Sequence, residues 1–170
     1  MAEATINATA AALLGLLHDG PMTGGQLVGA AHRRLGAYWS MTRSQVYREL
    51  PALATAGYLK MGKPGPRSSQ PYSITAAGKR AFGKWLAADA GHEAVRNPIA
   101  LRAAFAKYQT SAALKDAYAQ ATRYHTEALS EARETAKSLS ASGDKDAASA
   151  QEFAVGYHKA ALAWLKNAGS

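Results

Sequence analysis

The chain has no cysteine among its 170 residues, which excludes disulfides and thiolate metal sites and suits a reducing compartment. Sheet-forming residues are scarce as well, with only 7 Ile and Val against 40 Ala. β-Branched side chains favour strands and alanine is the strongest helix former, so the expected class is mostly α. Carboxylates are few in one half. Residues 1–88 hold three Asp or Glu against ten Lys or Arg, a charge of +7, whereas 89–170 hold nine against ten, a charge of +1. Long apolar runs are also missing. The patch from Ala10 to Leu17 falls far short of the roughly 20 residues that span a bilayer, and Glu3 stands where a secretory leader carries Lys or Arg. The expectation is a buried first helix in a soluble, cytoplasmic protein with no membrane partner.

Catalytic and metal-binding patterns are missing too. There is no Gly-x-Ser-x-Gly elbow, phosphate loop or dinucleotide fingerprint, and the glycine-containing GKPGPRSSQ does not end in Gly-Lys-Ser or Gly-Lys-Thr. The histidines stand singly at 18, 32, 92, 125 and 158, none with a ligating neighbour at the spacing zinc requires. The reading is of a protein that is not an enzyme, with no cofactor and no metal.

What is present is helical punctuation. The first helix is expected over about Ile6–His18, stopped by Asp19-Gly20-Pro21. Thr23 can cap a second helix through Leu35 that buries Leu27, Val28, Ala31 and Leu35. Tyr38 and Trp39 fill a short connection, Trp39 as a packing residue, and Ser40 and Thr42 can each cap the next helix. That third helix spans Arg43–Thr55, with Val46, Leu50 and Leu53 on its apolar face. Pro51 lies inside it and costs about 3 kcal/mol in a helix interior, yet the apolar spacing continues, so one kinked helix is expected. Two strand-like runs come next, Tyr58–Met61 and Pro71–Thr75, around the basic loop GKPGPRSSQ. Thr75 then caps a fourth helix that buries Phe82, Trp85 and Leu86. This order, three or four helices plus a two-stranded β-wing, is a winged helix-turn-helix in residues 1–88.

Residues 89–97 are a polar linker, and Asn97-Pro98 restarts the chain as cap and first helical residue. Residues 98–170 are then an α-helical dimerisation region. A long helical stretch runs to about Leu139, with Leu114, Tyr118, Ala121, His125, Ala128 and Ala132 along one stripe. After SASGDKD, a last helix places Phe153, Tyr157, Ala161, Trp164 and Leu165 on one face. The stripe is too extended for one short final helix to cover. Leu114, Tyr118, Ala121, His125, Phe153, Tyr157 and Trp164 are therefore expected at an interface between two copies, as interface core rather than as a ligand pocket.

The basic half points to a polyanion, with nucleic acid ahead of an anionic membrane surface. The face of the third helix opposite its apolar stripe offers Arg43, Ser44, Gln45, Tyr47 and Arg48. In a helix-turn-helix the second helix of the motif enters the major groove with its N-terminal residues at the base edges. Arg suits guanine O6 and N7, and Gln suits adenine N6 and N7; Tyr47 is placed for a phosphate. Lys63 and Arg67 of the wing would lie along the backbone or minor groove, and Arg33 and Arg34 could each reach a phosphate. The function these residues suggest is a homodimeric regulator of transcription that reads a palindrome in double-stranded DNA. The alternative is a winged-helix adaptor whose basic face docks on an acidic protein.

Three segments carry a family resemblance. LLGLLHDGPMTGGQLV, SQVYRELPALATAGYL and PRSSQPYSITAAGKRAF, the last with Tyr72, Thr75 and Gly78 in a Tyr-x-x-Thr-x-x-Gly pattern, resemble the first helices, recognition helix and wing of PadR-like transcriptional regulators. The resemblance covers about residues 9–88; the C-terminal half is compatible with the family's helical dimerisation region, including Trp164-Leu165. It implies a homodimeric DNA-binding regulator, often a repressor, sometimes responsive to a small aromatic or hydrophobic effector. The short, proline-rich wing departs from the family pattern.

Overall fold

The computed structural model describes residues 6–65, 69–91 and 96–168. It is mostly helical with one small antiparallel sheet, and it divides into two compact units, Met1–Gly91 and His92–Ser170.

In the first unit, α1 (Ala8–Leu16) starts at Asn7, whose side chain accepts from the Ala10 amide, and closes in a 3-10 turn, Leu17–Asp19. Strand β1 (Met22–Thr23) leads into α2 (Gly24–Leu35). Helix α3 (Arg43–Thr55) follows, then β2 (Leu59–Met61), β3 (Pro71–Ile74) and α4 (Ala76–Ala87). The sheet has three strands, with β3 central: Tyr72 faces Met22 of β1 and Met61 of β2. The two-stranded wing expected from the sequence therefore gains a third strand. Two residues after a turn, the second of them the cap of α2, are too few to show strand periodicity, so β1 had no legible signal.

Leu13, Leu14, Leu17, Leu27, Val46 and Leu50 are fully buried and hold α1, α2 and α3 together around one leucine-rich core. Helix α3 runs unbroken through Pro51. Pro51 is exposed, so water is available where its missing N–H leaves the Tyr47 carbonyl without a helical donor.

Thr75 ties the wing to its neighbours. Its hydroxyl donates to the Gly57 carbonyl at 2.7 Å and accepts from the Gly78 amide at 3.0 Å, capping α4. Gly78 passes so close to the backbone of Tyr58 that a Cβ would stand 2.2 Å from that carbonyl oxygen. A side chain there would push α4 away from β2, which gives the Tyr-x-x-Thr-x-x-Gly pattern a steric basis. Inward from α4 lie Gly78 and Ala81, with Phe82 and Trp85 half-buried and stacked. Leu86 was expected in the core but is 61% exposed; the buried residues of α4, Gly78 and Ala81, come earlier in the helix. Trp39, read as a packing residue, is exposed too.

In the second unit, α5 (Pro98–Ala104) is capped by Asn97 and followed by a 3-10 turn, Ala106–Tyr108. Helix α6 (Ser111–Ala141) starts afresh at Thr110, and α7 (Lys145–Ala168) runs beside it. The single long stretch expected from residue 98 is thus interrupted near Gln109, where the backbone is extended and Thr110 caps a new helix. The final helix is also longer than supposed, at 24 residues, and covers much of the stripe. Leu129 and Ala132 of α6 meet Ala154 and Val155 of α7, while Ala117 packs with Ile99 and Leu165. The buried face of α7 is Ala147, Gln151, Ala154, Val155, His158 and Leu165. Phe153, Tyr157 and Trp164, assigned by their spacing to one face, lie outside it. No described helix is long and apolar enough to cross a membrane.

Candidate nucleic-acid interface

Local chemistry explains where α3 begins. The Thr42 hydroxyl accepts from the Gln45 amide at 3.2 Å, and the Gln45 side-chain oxygen accepts from the Thr42 amide at 2.8 Å. This reciprocal capping box satisfies two amide groups that have no helical partner. The same device, Thr23 with Gln26, starts α2. With Val46, Leu50 and Leu53 buried, the opposite face of α3 is set toward solvent.

Arg43, Ser44 and Arg48 are exposed on that face, and Tyr47 is 46% exposed. Arg43 lies over the Tyr47 ring with its guanidinium carbon 5.3 Å from the centroid, within the range of a cation–π contact. The Arg48 side chain is 72% exposed, with only a 3.7 Å approach to Glu49, and such surface pairs are weak. Glu49 also accepts from the Asn7 amide group. Gln45 stands apart. Its oxygen is held in the capping box, so bidentate reading of adenine would first have to break that cap.

The remaining candidates divide. Arg33 and Lys63 are exposed. Arg34 pairs with Asp19 at 2.7 Å, which binds the end of α2 to the turn after α1 and competes with any phosphate contact. Arg67 lies outside the described residues. Lys60 on β2 and Lys79 and Arg80 on α4 are further exposed cations. They are not legible as site residues in the sequence, because a short strand and an amphipathic helix give them no motif.

In the second unit, Leu114, Tyr118 and Ala121 are half-buried. His125 is not at the surface of the single chain. It is 4% exposed, with its Nδ1 2.8 Å from Nδ1 of His158, itself 3% exposed. Burial holds both imidazoles below their ordinary pKa, and for His158 the neighbouring His125 adds to the shift. Two histidines that stand singly in the sequence thus meet across α6 and α7, a pairing 33 residues apart that local spacing cannot show. Among the described residues no group of three or more His, Cys, Asp or Glu could hold a metal ion.

A capped, docked helix with a donor-bearing outer face, preceded by α2 and followed by a sheet-forming wing, defines a winged helix-turn-helix protein with an appended helical unit. Residues 13–84 match the Transcriptional regulator PadR-like family. The chain is 26% identical over 146 residues to the negative transcriptional regulator PadR of Bacillus subtilis, spanning 84% of this chain and 80% of that protein. The crystal structure of Bacillus subtilis PadR in complex with operator DNA superposes with a TM-score of 0.78 at 24% identity, covering 95% of this chain and 97% of that one. The same protein in complex with p-coumaric acid gives 0.76 at 24% identity, over 95% and 96%. Residues 13–84 thus carry the pattern of the PadR-like family, and the chain as a whole shares the fold of Bacillus subtilis PadR.

Proposed function

We propose that this protein is a homodimeric repressor that reads a palindromic operator in double-stranded DNA with α3 and is released by a small aromatic or hydrophobic effector. The observation that carries the DNA-binding reading is the outer face of α3, where Arg43, Ser44, Tyr47 and Arg48 surround the helix start while Val46, Leu50 and Leu53 anchor it. The charge of +7 in residues 1–88 supplies a salt-dependent attraction to phosphates. Arginine at the start of the helix supplies base discrimination of about 1–3 kcal/mol per bidentate pair. A two-fold dimer would set the two α3 helices roughly 34 Å apart, one turn of B-DNA. Support for repression and for an effector comes from the Bacillus subtilis relative, named as a negative regulator and crystallised with p-coumaric acid. Support for the dimer is the row of exposed aromatic side chains on α6 and α7, Tyr124, Phe153, Tyr157 and Trp164.

The test is fluorescence anisotropy of the full chain on DNA upstream of its own gene and on scrambled DNA of equal length, at low and physiological salt. Preferential binding that persists at about 150–200 mM salt, and that Arg48→Ala weakens on both DNAs alike, is the expected result. Equal, salt-labile binding to both, repeated with a pool of random DNA, would instead favour an adaptor with an acidic protein partner.

A further inference from the structure

Arg43, Tyr47 and Gly24 form a three-part contact that joins α3 to the first turn of α2. The Arg43 guanidinium covers the Tyr47 ring one helical turn along the same face of α3. The hydroxyl end of that ring rests on Gly24, the first residue of α2, which is itself buried. A Cβ on Gly24 would stand 3.0 Å from Cε1 and Cζ of Tyr47 and 3.2 Å from its hydroxyl oxygen, closer than ordinary packing allows. With glycine at position 24 the ring lies there undisturbed, whereas a Cβ would displace it by a few tenths of an ångström.

We infer that Tyr47 is a positioning residue whose ring, seated on Gly24, holds Arg43 for base reading at the start of α3, so that Arg43 rather than Gln45 carries sequence discrimination. This rests on the operator-binding reading above. A guanidinium held over a ring by cation–π attraction, here 5.3 Å from the centroid, keeps N–H groups turned away from the ring for the O6 and N7 atoms of guanine. A side chain already held in one conformation loses less freedom on binding. The other donors are placed differently. The Gln45 oxygen is committed to the cap of its own helix, and Arg48 is loosely held, as suits neutralising phosphates rather than choosing a base. The Tyr47 hydroxyl sits beside α2, and its ring rather than its hydrogen-bonding capacity is the part in use.

The experiment uses the full chain and a double-stranded operator selected from random DNA by the wild-type protein. Discrimination is the ratio of Kd on single-base-pair variants to Kd on the operator. Arg43→Ala is expected to lose about 5–150-fold of discrimination at one base pair of each half-site, the range of a bidentate contact. Tyr47→Leu is expected to lose most of the same discrimination at the same position, and the double variant little more than Arg43→Ala alone. Tyr47→Phe, which keeps the ring, should stay within about two-fold of wild type. Gly24→Ala should lower discrimination at that position without lowering thermal stability, since alanine is the better helix former. In the free protein, NMR should show the Arg43 side-chain protons shifted upfield by the ring in wild type and Tyr47→Phe, and released in Tyr47→Leu and Gly24→Ala.

This role for Tyr47 is overturned if Tyr47→Leu discriminates as wild type does, if Tyr47→Phe loses as much as Tyr47→Leu, or if the losses multiply in the double variant. A folded Gly24→Ala protein with unchanged discrimination and an unchanged Arg43 shift also overturns it. A wild-type protein that selects no sequence at all overturns the operator-binding reading itself, an outcome visible before any variant is made.

Discussion

The two units bury different kinds of residue. In the first, leucines and Val46 from three helices close on one another until Leu13, Leu14, Leu17, Leu27 and Leu50 are fully covered. In the second, the seam between α6 and α7 is largely small, with Ala132, Ala154 and Val155 beside Leu129, while Tyr124, Phe153 and Trp164 stand outside. Alanine lets helices approach closely but contributes little apolar area per residue. The second copy proposed above would cover the large aromatic side chains that this seam leaves outside. The first unit closes its own core and leaves polar donors outside instead.

The sharpest way to break this comparison is to truncate one leucine in each core. Leu50→Ala is expected to cost about 2–5 kcal/mol, read as the loss of unfolding midpoint in urea by circular dichroism. Leu129→Ala, at the rim of a thinner core, should fall at the low end of that range. Equal losses would mean that the second core is as complete as the first.

Next in size is the outer face of α7. Phe153→Glu or Trp164→Glu should weaken self-association by about 2 kcal/mol or more, the scale of an aromatic hot spot, with helix content unchanged. Sedimentation equilibrium measures this, and undiminished association in both variants would put the interface elsewhere.

Removing the α3 cap with Gln45→Ala should cost about 1 kcal/mol, the scale of a lost capping interaction, seen in thermal unfolding. Its base preference should be retained. A change in preferred base with little loss of stability would show Gln45 reading DNA after all.

The last effect is gradual. Burial lowers the pKa of His125 and His158 from 6.5, so the unfolded chain binds protons that the folded chain refuses. Their contribution to stability is whole above about pH 6.5 and is lost as pH falls below it toward the folded values. A His125→Leu/His158→Leu double variant should flatten that slope in urea titrations from pH 7.5 to 5. A slope that survives belongs to other groups.

Sequence by itself settled what neighbouring residues decide. Thr23, Thr42, Thr75 and Asn97 are caps as read, α3 has the bounds that its flanking signals set, and the basic excess lies in the first unit, because capping, periodicity and charge are properties of a few adjacent side chains. Tertiary structure decided what distant residues share. Strand β1 exists only because β3 accepts it. Leu86 is left outside while Gly78 and Ala81 of the same helix are buried, and α7 turns Val155 and His158 inward rather than Phe153 and Tyr157. The ring under Arg43 rests on Gly24, on another helix and 19 residues earlier in the chain. Packing chooses among faces whose spacing alone is nearly equivalent, and that choice is made only when the surfaces meet.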